Sequence, residues 1–317
     1  MKVLLASSID PAATEALRSR HELLEGGSAD LRRAIADAEA VVLRSGPILS
    51  ADVLAAAPDL RLVVRAGSGL DNIDVEAARE RGLTVIRIAG MSAPPVAELT
   101  FALMLSLARK VTLADRLIRE GQWPKSDLGG PLLRGKTLGI VGAGNIGGLV
   151  GQMGYAWGMH VLGCVARPNK VLGEQLAQRG MTLADFDQVV EQADFLSLHV
   201  PLDAVTHHLV DEAVLDRMRR GSLLVNMARG GVVDEKALYE ALTRGDTLAG
   251  AALDVHETEG EGTIPPLGAL PNVVLTPHIG AMAVDSQRLI GARVLELVEA
   301  YDNGRLEEEL DHGELVV

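Results

Sequence analysis

Three short stretches of the sequence each bring a residue able to do polar chemistry to the end of an apolar run. Asn226-Met227-Ala228-Arg229-Gly230-Gly231-Val232-Val233-Asp234 puts an arginine just past Leu223-Leu224-Val225. Gly250-Ala251-Ala252-Leu253-Asp254-Val255-His256-Glu257-Thr258-Glu259 ends in acids, and Leu275-Thr276-Pro277-His278-Ile279-Gly280-Ala281 turns on a proline and presents a histidine. Together these types suit reduction of a 2-oxo acid, which needs a cation for the carboxylate and carbonyl, a proton donor working near neutral pH, and a hydride source. Arg229 can grip a carboxylate bidentately. His278 can give a proton in one direction and accept it in the other, and Glu259 beside it would favour the charged imidazole. Taken singly, each has a structural reading: an ion-paired arginine, a capping glutamate, a histidine satisfied after a proline turn. Their occurrence in order, behind a glycine loop, is what points to chemistry.

That loop is Gly142-Ala143-Gly144-Asn145-Ile146-Gly147, set between the apolar run Leu138–Val141 and a helix-compatible stretch. In this G-x-G-x-x-G context Gly142 permits the tight turn, Gly144 lets the backbone approach a pyrophosphate, and Gly147 lets helix and strand pack closely, with the helix N-terminus aimed at the phosphates. A dinucleotide is therefore expected, a structural glycine turn being the alternative. The acid that usually bonds the ribose 2′-hydroxyl, roughly 20 residues on, is replaced by Val165 in Gly163-Cys164-Val165-Ala166-Arg167-Pro168. Without that carboxylate a 2′-phosphate is no longer repelled, and Arg167, with Lys170 nearby, could pair with it. NAD(P) is the expected cofactor, with a lean toward NADP. The glycines Gly148, Gly151 and Gly154 cost helix propensity for a reason the sequence does not disclose. His199 is expected to line the cofactor side of the sheet, and His207 and His208 to be surface residues. With Cys164 the single cysteine, no zinc–cysteine cluster and no internal disulfide can form, and no metal is expected.

The elements that must position these residues follow from the pattern of short apolar runs, each trailed by a stretch of helical period. Five such runs precede residue 90: Val3–Ala6, His21–Leu24, Ala40–Leu43, Leu62–Val64 and Thr84–Ile86. A long apolar-periodic segment from Pro95 to Gly121, opened by prolines and closed by glycine, reads as one helix. Six further runs follow: Thr137–Val141, His160–Cys164, Phe195–Leu198, Leu223–Asn226, Ala249–Leu253 and Val273–Leu275. A helix from Val284 to Tyr301 comes last, before an acidic, solvated stretch at Leu306–Glu309. The class is α/β, with two doubly wound parallel sheets. The 317 residues are 48 % apolar, enough for two cored domains, and 43 acidic against 30 basic side chains give a net charge of −13. That balance repels nucleic acids and anionic lipids, so an anionic partner must be small and held by a few local arginines. No signal peptide or membrane span is read, and a cytoplasmic location is expected.

These motifs resemble the D-isomer-specific 2-hydroxyacid dehydrogenases, over nearly the whole chain and in the family's order. Val64-Arg65-Ala66-Gly67-Ser68-Gly69-Leu70-Asp71-Asn72-Ile73-Asp74 adds a further match. Among the branches the phosphoglycerate dehydrogenase catalytic core is most similar. The glycine loop follows an entire α/β domain, unlike its position near the N-terminus in L-specific lactate and malate dehydrogenases. The resemblance implies a flavodoxin-like substrate domain from residues 1–97 and 285–317, a Rossmann cofactor domain from 98–284, catalysis in the cleft, and a homodimer. It implies Arg229, Glu259 and His278 as catalytic residues. It places Asp254 and the backbone around Ala228 against the nicotinamide, and Ser68, Val200, Gly280 and Ala281 with Asn145 and Ile146 on the cofactor. Ser68 and Gly69 would also offer amides to the substrate carboxylate, and Arg44 and Arg65 match arginines that the phosphoglycerate branch uses.

The chain departs from that branch at Val165, at Arg87 where asparagine is usual, at Ala89–Pro95, and at Gly260 after Glu259. It is also expected to lack the C-terminal regulatory domain of longer members. Arg44, Arg65 and Arg87 favour an acid with a second anionic group, 3-phosphoglycerate with 3-phosphohydroxypyruvate or a phosphonate analogue. Glyoxylate or hydroxypyruvate reduction, and a non-catalytic dinucleotide-sensing protein, are the alternatives. Formate dehydrogenase fits less well, because that branch pairs its histidine with glutamine.

Overall fold

The computed structural model describes residues 1–26, 30–311 and 313–317. It divides into two compact units, residues 1–92 with 281–317, and residues 93–280. In the first unit the strands are β1 (Lys2–Leu5), β2 (Glu22–Glu25), β3 (Ala40–Leu43), β4 (Leu62–Arg65) and β5 (Thr84–Arg87). All pair in parallel, in the order β2, β1, β3, β4, β5, the flavodoxin-like arrangement. Every residue of β3 and β4 is buried, which is why these strands read as unbroken apolar runs. The helix Val284–Asp302 belongs to this unit and buries Ile290, Val294, Leu297 and Val298 among Val3, Val42, Leu62 and Val64. Arg293 on that helix clasps Glu314 through Nε (3.1 Å) and Nη2 (2.6 Å), and Leu315 bridges antiparallel to Ile86.

The second unit holds β6 (Thr137–Val141), β7 (His160–Cys164), β8 (Met181–Leu183), β9 (Phe195–Leu198), β10 (Ser222–Asn226), β11 (Leu248–Leu253) and β12 (Val273–Leu275). They form one parallel sheet in the order β12, β11, β10, β9, β6, β7, β8. Seven strands replace the six expected. The added one, β8, is a three-residue edge strand in which only Met181 is buried, too short to show an apolar run. The strand order reverses between β6 and β9, and ligands of open α/β sheets bind at the carboxyl ends beside such a point.

The single helix expected over Pro95–Gly121 is two helices, Ala93–Ala108 and Val111–Arg119. The break falls at Lys110, which takes the left-handed conformation (φ 52°) and sends Nζ to the carbonyl of Asp127 at 2.9 Å. Gly130 packs flat on the Ala108 carbonyl at the same point, where a Cβ would lie 1.8 Å from that oxygen. The glycine-rich helix Asn145–Ala156 also finds its account. A Cβ at Gly151 would sit 2.0 Å from the Met181 methyl, and one at Gly154 would sit 2.6 Å from Leu138, so these glycines let the helix lie close on β6 and its neighbours. Among the described residues no helix is long and apolar enough to cross a membrane.

Candidate active site

The glycine loop sits at the carboxyl end of β6. Gly142 has φ 94°, a conformation that L side chains rarely adopt, and a Cβ there would lie 2.7 Å from the carbonyl oxygen of His199. Its N–H and that of Ala143 both donate to the Cys164 carbonyl at 3.0 Å, tying the loop to β7. Gly147 is pinned in turn, since a Cβ would stand 2.2 Å from the carbonyl oxygen of Gly142. Gly144 differs from both: it is exposed, and nothing approaches its Cβ position within 4 Å. The loop is thus packed from behind and open at the one residue whose backbone must approach a pyrophosphate, with Asn145 and Ile146 opening the helix beside it. This cradle fits a dinucleotide.

Val200 packs its Cγ1 against the Gly142 position. The neighbouring His199 ring accepts or donates a 2.8 Å hydrogen bond between Nε2 and the buried Ser197 hydroxyl, and burial pushes its imidazole down to about 3. A ring held neutral in this way lines the sheet and does not serve as a cationic acid. Arg167 is exposed beyond β7, and its side chain has no hydrogen-bond or ion-pair partner among the described residues, whereas Lys170 pairs loosely with Glu174 at 3.9 Å.

The three chemical stretches leave the carboxyl ends of β10, β11 and β12, which are adjacent in the sheet. His278 Nδ1 meets both carboxylate oxygens of Glu259, at 2.9 and 3.1 Å, so Nδ1 carries the proton and Nε2 is the ring nitrogen left for exchange. Burial alone would push the Glu259 carboxyl up. The hydrogen bond and charge of His278, aided by the His256 N–H at 3.2 Å, outweigh that and hold it below the ordinary value. His278 has φ 53°, a strained conformation for a non-glycine residue. The strain is held in place by Asp254, which is 2 % exposed. Its carbonyl accepts from the His278 N–H at 2.7 Å, and its carboxylate accepts from Thr276 Oγ1 (2.6 Å), Ile279 N (2.9 Å) and Gly280 N (2.8 Å).

Arg229 sits in the turn after β10, where its Nη1 donates to the Ala228 carbonyl at 2.7 Å. Buried Asn226 shapes that turn, accepting from Ala228 N (3.1 Å) and donating to the Arg229 carbonyl (3.1 Å). The turn lies against the loop that carries Glu259, for a Cβ at Gly230 would be 1.8 Å from the His256 carbonyl oxygen. Asn226 holds the Arg229 turn and Thr276 donates to Asp254, contacts that the sequence does not disclose. A polar residue immediately closing an apolar run is the signal that could have found them.

Within the first unit, Arg65 is 5 % exposed at the end of β4, and its Nη1 would be 2.5 Å from a Cβ on Gly67, whose φ is 154°. The half-buried Ser68 hydroxyl lies 3.2 Å from that of Ser92, and Gly69 follows it. Arg44 is half-buried, and burial depresses its guanidinium. Its Nη2 contacts the Met282 sulfur at 3.0 Å, and it has no acidic partner among the described residues. Asn72 fixes this corner by donating to the carbonyls of Arg44 (2.8 Å) and Pro47 (2.6 Å). Arg87, at the end of β5, donates from Nε to the Gly313 carbonyl at 3.0 Å. Ala281 opens the return segment, its carbonyl accepting from Gln287 at 2.5 Å. His207 is exposed and stacks on His208, which is engaged with acids rather than free on the surface. Among the described residues no group of three or more histidines, cysteines or acids is arranged to hold a metal ion.

A parallel sheet with a G-x-G-x-x-G loop at its switch point, and an arginine with a carboxylate-bonded histidine on the neighbouring strand ends, defines a class of dinucleotide-dependent oxidoreductase. Residues 101–280 match the family model for the D-isomer specific 2-hydroxyacid dehydrogenase NAD-binding domain. A hydroxypyruvate reductase of Thermotoga maritima is 39 % identical over 311 residues, covering 94 % of this chain and 97 % of the relative. A D-3-phosphoglycerate dehydrogenase of Mycobacterium tuberculosis is 41 % identical over 93 % of this chain, which spans only 56 % of that longer protein. The crystal structure of D-lactate dehydrogenase from Aquifex aeolicus, complexed with NAD and lactic acid, superposes with a TM-score of 0.89 at 29 % identity, covering 100 % of this chain and 99 % of the other. The chain belongs to the D-isomer-specific 2-hydroxyacid dehydrogenase family of NAD-dependent oxidoreductases.

Proposed function

We propose that the protein interconverts a D-2-hydroxy acid carrying a second anionic group with its 2-oxo acid, 3-phosphoglycerate and 3-phosphohydroxypyruvate or a phosphonate analogue being the pair favoured. The observation that carries the acid–base reading is the two-oxygen contact of Glu259 with His278 Nδ1. It fixes the tautomer, leaves Nε2 for the substrate oxygen, and compensates the charge on the imidazole while it waits to donate. Arg229 neutralises the carboxylate and polarises the neighbouring carbonyl. The nicotinamide, bound along Gly142–Gly147 and Val200, Ala228, Asp254, Gly280 and Ala281, would supply or take up the hydride. Asp254 has its carboxylate committed to Thr276, Ile279 and Gly280, so it acts first by holding the His278 turn. Ser68 and Gly69 are assigned to the substrate carboxylate. Arg167, exposed and without a side-chain partner among the described residues, supports NADPH over NADH through the 2′-phosphate.

The second anionic group is assigned to Arg44, Arg65 and Arg87, an anion receptor within the first unit. A half-buried guanidinium without a carboxylate has lost water and gained no counter-charge, so an arriving phosphate gives it the ion pair it lacks. A second reading, reduction of hydroxypyruvate or glyoxylate, is favoured by the near-complete overlap with the Thermotoga hydroxypyruvate reductase and by the Arg44 contact to a neutral thioether. The remaining parts of the proposal are a cytoplasmic homodimer with a substrate-binding first unit and a cofactor-binding second unit. A panel of glyoxylate, hydroxypyruvate and 3-phosphohydroxypyruvate with NADH and NADPH tests it. The phosphorylated acid should give the highest kcat/KM, and Arg44→Ala should cost it ~10-fold or more, the scale of one charged hydrogen bond, while sparing glyoxylate. A preference for the unphosphorylated acids, unmoved by Arg44→Ala, establishes the second reading instead.

A further inference from the structure

The segment that delivers Glu259 is exposed on one side. Beyond Glu259 the chain runs through Gly260 (φ 138°) and Gly262 (φ 80°), neither with any atom within 4 Å of its Cβ position, so the loop is not packed on that side. Besides the His278 contact, the loop is tied on its upstream side. The N–H of Glu257 donates to Glu235 Oε1 at 2.8 Å, and the N–H of Glu235 donates back to Glu257 Oε1 at 3.2 Å, a reciprocal pair joining the loop to the start of the helix Glu235–Arg244. His208 adds a third tie, Nε2 donating to the same Glu257 oxygen at 3.1 Å while Nδ1 lies 3.7 Å from Asp234, the cap of that helix. His208 makes these contacts from a left-handed conformation (φ 49°). Inside the clasp, His256 sends its N–H to Glu259 and its Nε2 to the Thr276 carbonyl at 2.9 Å, so the held loop touches both members of the acid–base pair's framework.

The clasp is costly as a purely structural device. Burial raises the Glu235 carboxyl, and although the Glu257 N–H and His256 pull it back, the nearby Glu257 and Glu259 charges add to the rise. An apolar side chain at this position would avoid that cost but would leave the Glu257 N–H without its acceptor.

We propose that Glu235 is a positioning residue of the reaction, its reciprocal clasp with Glu257, braced by His208, setting the orientation of Glu259 toward His278. This rests on reading Glu259 and His278 as the acid–base pair. A displacement of the order of 1 Å at a reacting group costs ~10²-fold in rate, so Glu235→Ala should lower kcat by about 10- to 100-fold with KM for the oxo acid within ~3-fold of the wild type. Glu235→Gln keeps the acceptor oxygen and should restore most of the lost kcat. An independent readout is the Nδ1–H proton resonance of His278, which should persist in Glu235→Gln and broaden or vanish in Glu235→Ala. Should Glu235→Ala fail to fold by circular dichroism, Glu257→Ala, which removes the acceptor for both Glu235 and His208, is judged by the same measurements. Wild-type kcat and an intact resonance in the alanine variant, with activity still abolished in His278→Ala, overturn the clasp and leave the acid–base reading standing. Activity that survives His278→Ala overturns that reading itself.

Discussion

Two glycines three residues apart in the nucleotide loop should respond in opposite ways to the same added methyl group. At Gly147 the new Cβ meets the Gly142 carbonyl oxygen at 2.2 Å and the Ile140 Cγ2 at 2.8 Å. The first neighbour is backbone within a hydrogen-bonded loop and cannot yield cheaply. Overpacking of this kind costs ~1–3 kcal/mol, and the gain of about 1 kcal/mol from replacing glycine inside a helix does not cover its upper range. With backbone as the nearest neighbour the upper range applies, a net loss of ~2 kcal/mol, and Gly147→Ala should therefore melt about 4–8 °C lower, given ~2–4 °C per kcal/mol for a unit of this size. At Gly144 the added Cβ meets nothing within 4 Å, and φ is −84°, on the side open to L residues. Stability should change by less than about 1 kcal/mol, the scale of a weakened helix cap. The methyl group would instead occupy the space reserved for the pyrophosphate, and NADH and NADPH should both bind ~10²-fold more weakly, about 2.7 kcal/mol. Calorimetric melting and isothermal titration of each variant separate the two effects. Wild-type dinucleotide affinity in Gly144→Ala would refute the reasoning, because the open face of the loop would then not be the phosphate site.

Three further outcomes are expected. His199 is held neutral down to about 3 by burial, so the unfolded chain binds a proton below the ordinary histidine value that the folded chain refuses. Its contribution is complete above that value and is lost as pH falls, at about 1.4 kcal/mol per pH unit until the folded value is reached. His199→Gln should flatten the acid limb of a melting-temperature profile, and parallel profiles would remove the assignment. Arg167→Ala should weaken NADPH much more than NADH in fluorescence titration; equal losses would eliminate the 2′-phosphate contact. Asp254→Asn replaces one acceptor oxygen by a donor where Thr276, Ile279 and Gly280 all donate. It should lower kcat at least ~10-fold through the displaced His278 turn, and unchanged kcat would refute that role.

Much of this molecule was legible because its parallel strands are buried on both faces and so announce themselves as apolar runs, as in β3, β4 and β10. The strand that escaped notice, β8, is three residues long at a sheet edge, where one buried methionine is all the pattern it can leave. The break at Lys110 was invisible for another reason: helical periodicity continues across it, and the tertiary contacts of Gly130 and Asp127 decide the kink. At the candidate site, the residue types of Arg229, Glu259 and His278 at successive strand ends were enough to propose acid–base chemistry. Their support did not, because Asn226, Asp254 and the Glu235–Glu257 pair act through backbone groups whose positions no spacing rule fixes. His208 shows the limit most clearly, since a histidine outside any metal spacing reads as surface until its two acidic partners are seen.

In the proposed reaction the His278 imidazole, oriented by Glu259 and assisted by Arg229, exchanges the proton while hydride moves to or from the 2-carbon of the acid. Steady-state oxidation of NADH and NADPH by wild type and His278→Ala, with the best oxo acid of the panel, tests it most directly. The variant should lose ~10²- to 10⁴-fold in kcat, the usual worth of a general acid, with dinucleotide affinity preserved in titration. Equal turnover by the two purified proteins would contradict it.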